Sequence, residues 1–94
     1  MPEAEIRAAV CAEVVRILSE ARRTKGLSMN ALAKKAGLSQ PMISILESSQ
    51  PNPKLDTLLR ISTVLELNLG IVVQQALANI SANSPNGKRH ESGY

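Results

Sequence analysis

The stretch from Ser28 to Glu47, SMNALAKKAGLSQPMISILE, constrains this chain more than any other. Leu32, Ala33 and Ala36 recur at helical spacing and give a short helix one narrow apolar face. Gly37 ends that helix, because the residue after a helix often needs positive φ, which glycine adopts without a Cβ clash. Leu38 fills the corner. Ser39 suits the N-cap of a second helix, and Pro41 falls in its first turn, where a missing N–H costs nothing. Ile43 and Leu46 face inward, three residues apart, which leaves Gln40, Pro41, Ser44, Ile45 and Ser48 on the outer side.

The flanks supply the rest of a helical bundle. From Glu3 to about Lys25, Ile6, Val10, Val14, Ile17, Leu18 and Ala21 form a stripe at the 3.6-residue period, and Gly26 stops it. Glutamates at its start and Arg22, Arg23 and Lys25 at its end both suit the helix dipole. Cys11 and Val15 widen its apolar surface, as either a broad core face or a contact for a partner helix. Ser28 suits the N-cap of the following helix, whose exposed N–H groups could also hold a phosphate. Ser49-Gln50-Pro51-Asn52-Pro53 is a loop by composition. A fourth helix follows over about Leu55–Leu65, with Leu58, Leu59, Ile61, Ser62 and Leu65 on its buried side and Arg60 and Glu66 exposed.

From Leu67 to Ile80 two periods compete. Leu69, Val72, Val73, Ala76, Leu77 and Ile80 fit a helical stripe with Asn68 as N-cap, while Leu67, Leu69, Ile71 and Val73 alternate as a strand would. The helical template accounts for more of the segment, so a fifth helix is expected, with an intersubunit strand over 69–74 as the alternative. Either form is apolar enough to serve as a subunit interface. From Ser81 onward apolar periodicity ends, so residues 1–80 read as one domain and 81–94 as a disordered tail.

Composition excludes several classes of function. A chain of 94 residues makes one domain, with a core small enough to gain from dimerisation. No apolar run approaches a membrane span and no segment resembles a signal peptide, so a soluble, cytoplasmic protein without membrane contact is expected. One cysteine, Cys11, and one histidine, His90, provide neither an intrachain disulfide nor the usual zinc ligands. With no pair of residues suggesting catalysis and no glycine-rich phosphate loop, neither an enzyme nor a cofactor is expected. Tyr94 is the only aromatic residue, which argues against modules that stack single-stranded bases.

Two helices joined by a glycine-containing turn form a helix-turn-helix, in which the second helix enters the DNA major groove. The same residues suit an ordinary αα-hairpin within a bundle. Charge separates the two. The net charge is only +3, but Arg22, Arg23, Lys25, Lys34, Lys35 and Lys54 surround the motif against one carboxylate, Glu47. That concentration is expected of a phosphate-binding face.

With these residues in place the chain resembles the XRE family, the Cro and phage-repressor type of helix-turn-helix protein, from about Leu18 to Ala76. The resemblance rests on Arg22, Gly26-Leu27-Ser28, Leu32-Ala33, Ala36-Gly37-Leu38-Ser39, Ile43-Ser44 and Glu47. It continues through Asn52-Pro53, Leu55-x-Thr57-Leu58-Leu59-x-Ile61 and Leu65. It implies an all-α, lambda-repressor-like bundle of about five helices. It also implies a transcriptional regulator, usually a repressor, acting as a homodimer on a palindromic operator in double-stranded DNA.

The base-reading positions it implies are Gln40, Pro41, Ser44 and Ile45, with Ser48 at the edge. Ser28, Met29, Lys34 and Lys35 would hold the backbone, and Lys54 and Arg60 could each reach a phosphate. Glu47 is expected to pair with Arg22 inside the bundle. Met29 stands where the family often has Gln, which removes a donor, and Ser49 stands where Gly commonly follows the Glu. Members of the family also serve as antitoxins, so the alternative partner is a toxin protein.

Overall fold

The structure, a computed structural model, describes residues 3–48 and 52–83. These form five helices: α1 (Glu3–Thr24), α2 (Met29–Ala36), α3 (Gln40–Ser48), α4 (Leu55–Val64) and α5 (Leu69–Asn83). The segment with competing periods is helical, and the Asn68 side chain caps it by accepting from the Ile71 N–H at 3.2 Å. Helix is favoured there because Leu69, Val72 and Ala76 must face one side together, and the odd spacing from Leu69 to Val72 is one that a period of two cannot arrange. α5 also continues through Ser81, Ala82 and Asn83, three residues past the expected end of the domain. Small polar residues at a helix end mimic a tail in composition, while the backbone ladder still holds. The expected loop over 49–51 and the tail from 84 lie outside the described residues.

α1 and α5 run antiparallel. Lys25 pairs with Glu66 at one end, and Asn79 Nδ2 donates to Glu13 further along, at 2.7 Å. Between them Val14 and Leu18 meet Leu69, Val72 and Ala76, and the same core takes in Leu32, Ile43 and Ile61 from the other helices. Val15 is buried too, so the wider apolar surface of α1 is a core face at that point, while Cys11 is half-buried.

Three expected core residues are instead exposed. Ile6 is 39% exposed, because the antiparallel register carries α1 past the last described turn of α5. Leu59 is 46% exposed: α4 buries Ile61 and Ser62, and Leu59 turns toward Lys35 and the end of α2. Leu77 is 49% exposed, since the apolar stripe of α5 is wider than α1 can cover.

α3 contributes one fully buried side chain, Ile43, and is otherwise held by charge. Arg22 donates from Nε and Nη2 to the two Glu47 carboxylate oxygens at 2.9 and 3.0 Å, and from Nη1 to the Leu27 carbonyl at 2.8 Å. The Ser19 hydroxyl adds a bond to Glu47 at 2.8 Å. Burial pushes the Glu47 carboxyl up, but the bonds from Arg22 and Ser19 outweigh it and hold the group below its ordinary value of 4.5.

A carboxyl lowered by folding stabilises the fold above its unfolded value, and that stability is lost as pH falls through the folded value. Glu47→Ala leaves Arg22 buried without its partner and should cost about 3 kcal/mol at neutral pH. In urea unfolding followed by circular dichroism, the gap between wild type and Glu47→Ala should narrow as pH falls below about 4.5. A gap that stayed constant with pH would show that the loss is packing rather than charge.

Candidate nucleic-acid interface

The pair α2–α3 is built by its caps. The Ser28 hydroxyl accepts from the Ala31 N–H at 3.0 Å, and Ser39 accepts from the Met42 N–H at 3.3 Å, so each helix starts on a serine. At the turn Gly37 takes φ 72°, and the Leu38 N–H reaches back to the Ala33 carbonyl at 2.8 Å. Leu38 packs against the core, which fixes the angle at which α3 leaves the turn. Arg60 closes the turn from α4. Its Nη1 lies 3.4 Å from the Ala36 carbonyl, and its Nε donates to Asp56 at 2.8 Å.

α3 therefore presents three sides. Ile43 points inward, with Leu46 and Glu47 half-buried beside it. Gln40, Pro41, Ile45 and Ser48 are exposed and Ser44 is half-buried, which is the outer face expected of these residues. Met42, 46% exposed, lies on the third side, toward α4. Two outer residues are already engaged. Gln40 Nε2 lies 3.8 Å from the Met29 sulfur, a weak bond, and the Ser48 hydroxyl donates to the Ser44 carbonyl at 2.6 Å. Met29 is half-buried against the core, so it buttresses Gln40 in place of supplying a donor. The eleven-residue spacing between helix starts is the only trace of that contact in the sequence.

The expected basic face is smaller than composition implies. Arg22 is spent inside the bundle on Glu47, Lys25 pairs with Glu66, and Arg60 pairs with Asp56. Among the described residues Lys34, Lys35 and Lys54 form no ion pair. Lys35 borders α4 beside Leu59 and Thr63, whereas Lys54 and Ile45 line one cleft between α3 and α4. Ser28, Met29 and Gln40 gather at the other end of α3. No group of His, Cys, Asp or Glu among the described residues could hold a metal ion, and no single described helix is long and apolar enough to cross a membrane.

Gly37 and Gly26 share φ +72°, but a Cβ on Gly37 would meet Arg60 Nη1 at 3.0 Å, while one on Gly26 meets nothing within 4 Å. Each substitution by Ala should cost about 1 kcal/mol for the left-handed backbone. Gly37→Ala should cost measurably more, because it displaces Arg60 from Ala36. In thermal unfolding of the four variants, adding Arg60→Ala to each should bring the two glycine variants together. A difference that persisted without Arg60 would overturn its role as the clamp on this turn.

Comparison with known proteins agrees with this geometry. A family profile described as helix-turn-helix matches residues 18–72. A protein of Haemophilus influenzae named as an uncharacterized HTH-type transcriptional regulator is 36% identical over 70 residues, which span 74% of this chain and 67% of that protein. No solved structure shows significant similarity to the chain. The match covers α2, the Gly37 turn, α3 and α4 with the end of α1 and the first turn of α5, and on that basis the chain belongs to the XRE-type helix-turn-helix family of DNA-binding proteins.

Proposed function

We propose that this protein is a transcriptional regulator that binds a palindromic DNA operator as a homodimer and represses from it. The observation that carries this reading is the outer face of α3, where Gln40, Pro41 and Ile45 stand clear of the bundle while Ile43 and the Arg22–Glu47 pair hold the helix behind them. Gln40 reads adenine through N6 and N7, exchanging its weak contact with Met29 for two bonds. Ile45 meets a thymine methyl. The N–H groups at the start of α2, behind Ser28, and the ammonium groups of Lys34 and Lys54 hold phosphates. Arg60 and Lys35 lie at the α2–α4 seam and contribute less.

Selection from random duplexes should recover a palindrome with half-sites about one helical turn apart. Lys34→Ala and Lys54→Ala should each reduce the slope of log K against log salt by about 0.9 and weaken all sequences alike. Gln40→Ala should relax preference at one position of each half-site, at a cost of about 1–3 kcal/mol on the preferred site only. Absence of duplex binding tighter than about 10⁻⁴ M at physiological salt would sink the reading.

α5 supports the homodimer. Its exposed positions are Gly70, Ile71, Gln74, Gln75, Leu77, Ala78, Ser81 and Ala82, and none carries a charge. A soluble helix facing water would ordinarily carry charged residues there, as the exposed side of α1 does with Glu3, Glu5, Arg7, Arg16 and Glu20. An uncharged face suits contact with its own copy, because side chains near a two-fold axis meet themselves and a charge there would repel its twin. Ile71→Glu with Leu77→Glu should convert the dimer to a monomer in sedimentation equilibrium while leaving helicity unchanged. A wild-type protein monomeric at 100 micromolar (on the order of the weakest useful affinity) would remove the homodimer.

A further inference from the structure

Between α3 and the start of α4 lies an open cleft of about 500 Å³. Leu38, Met42, Ile45 and Leu46 form one wall, and Pro53, Lys54, Thr57 and Arg60 the other. That volume falls within the range of small-molecule sites. Met42 is the informative residue. It is a large apolar side chain, 46% exposed, on the recognition helix, yet it lies neither in the core nor on the face that reads bases. With Ile45, 63% exposed, it leaves a hydrocarbon surface facing the cleft that no described residue covers.

The charges at the rim specify the rest. Arg60 and Asp56 neutralise one another at 2.8 Å, so neither attracts an ion strongly. Lys54 also lines the cleft, with no carboxylate partner among the described residues. We infer that the cleft binds a small amphipathic monoanion, a flat or short-chain hydrocarbon body with one carboxylate or sulfonate. The body lies on Met42, Ile45 and Leu46, and the acid meets Lys54. With Arg60 and Asp56 paired, Lys54 is the one cation in the described cleft lining left to meet an acid, so a single negative charge fits. Resting on the DNA-binding reading, the consequence is regulatory: the ligand occupies Ile45 and Lys54, which DNA also needs, and so releases the protein from its operator.

The test uses 8-anilinonaphthalene-1-sulfonate, an amphipathic monoanion of this class, titrated into the full chain by fluorescence without DNA. Saturable binding is expected at one site per chain, with Kd on the order of 10 µM for a ligand of this size. Thr57→Phe, which fills the cleft, should abolish it, and Met42→Ser, an exposed change that leaves the fold intact, should weaken it at least fivefold. Ile6→Ser on α1, an exposed position away from both the cleft and the proposed dimer face, should leave it unchanged. Unsaturable binding, or saturable binding that ignores Met42 and Thr57, would overturn the site. With a labelled duplex, saturating probe should raise the apparent Kd for DNA at least fivefold, and an unchanged Kd would overturn the regulatory role. A protein that bound probe but no duplex at all would keep the site and lose the regulator, so the two readings fail separately.

Discussion

The buried pair of Arg22 and Glu47 sets the orientation on which the rest of the interface depends. Two charges taken out of water cost several kcal/mol each unless their bonds are completed, and here they are. Arg22 uses three of its nitrogens, Glu47 receives a further bond from Ser19, and no buried side-chain polar atom among the described residues lacks a partner. An apolar pair could hold α3 against α1 as firmly, but it would not fix rotation about the helix axis. Rotation is what matters for a nine-residue helix with only Ile43 fully buried. A turn of about 200°, two residues' worth, would replace the Gln40 and Ser44 side with the Met42 and Leu46 side. The directional bonds to Glu47 decide which side faces outward.

Fixing the helix from behind leaves its ends to local chemistry. Ser39 starts it, and Gly37 with Leu38 sets its angle to α2, so the sequence of the turn and the tertiary ion pair constrain different degrees of freedom. α4 completes the arrangement through Arg60, which satisfies a carbonyl at the end of α2 that the helix cannot bond internally. These restraints are short and mutually consistent, which is why a small core can hold so defined a face.

What could be read from the sequence follows the same division. Caps, glycine stops and helical stripes are local, and Ser28, Ser39, Gly37 and Asn68 do what their neighbours dictate. Exposure is not local. Ile6, Leu59 and Leu77 all sit on correct helical stripes, and only the register and width of the packing partner leave them exposed. The charge pattern misled for a related reason. The Arg22–Glu47 pair was expected, but the partner of Lys25 is 41 residues away and beyond the motif, so a window of sequence counts a cation that the fold neutralises. Arg60, expected to reach a phosphate, is paired locally instead, with Asp56 four residues earlier on one helix face. Within the candidate site, the outer face of α3 was legible because helical spacing alone defines it. The buttress of Met29 on Gln40 was not, since it joins two helix starts across a turn.

The placement of the cleft beside α3 also determines what kind of control it can exert. A ligand changes DNA affinity only through a difference in its own affinity for the free and bound forms. Where the sites are separate, that requires two conformations of the protein and a coupling limited to the difference between them. Ile45 and Lys54 border both the cleft and the face proposed for DNA, so the two ligands compete for the same side chains and no second conformation is needed. Control by occupancy suits a domain this small. Its core is continuous through all five helices, and an element free to switch between two packings would have to be taken from that core.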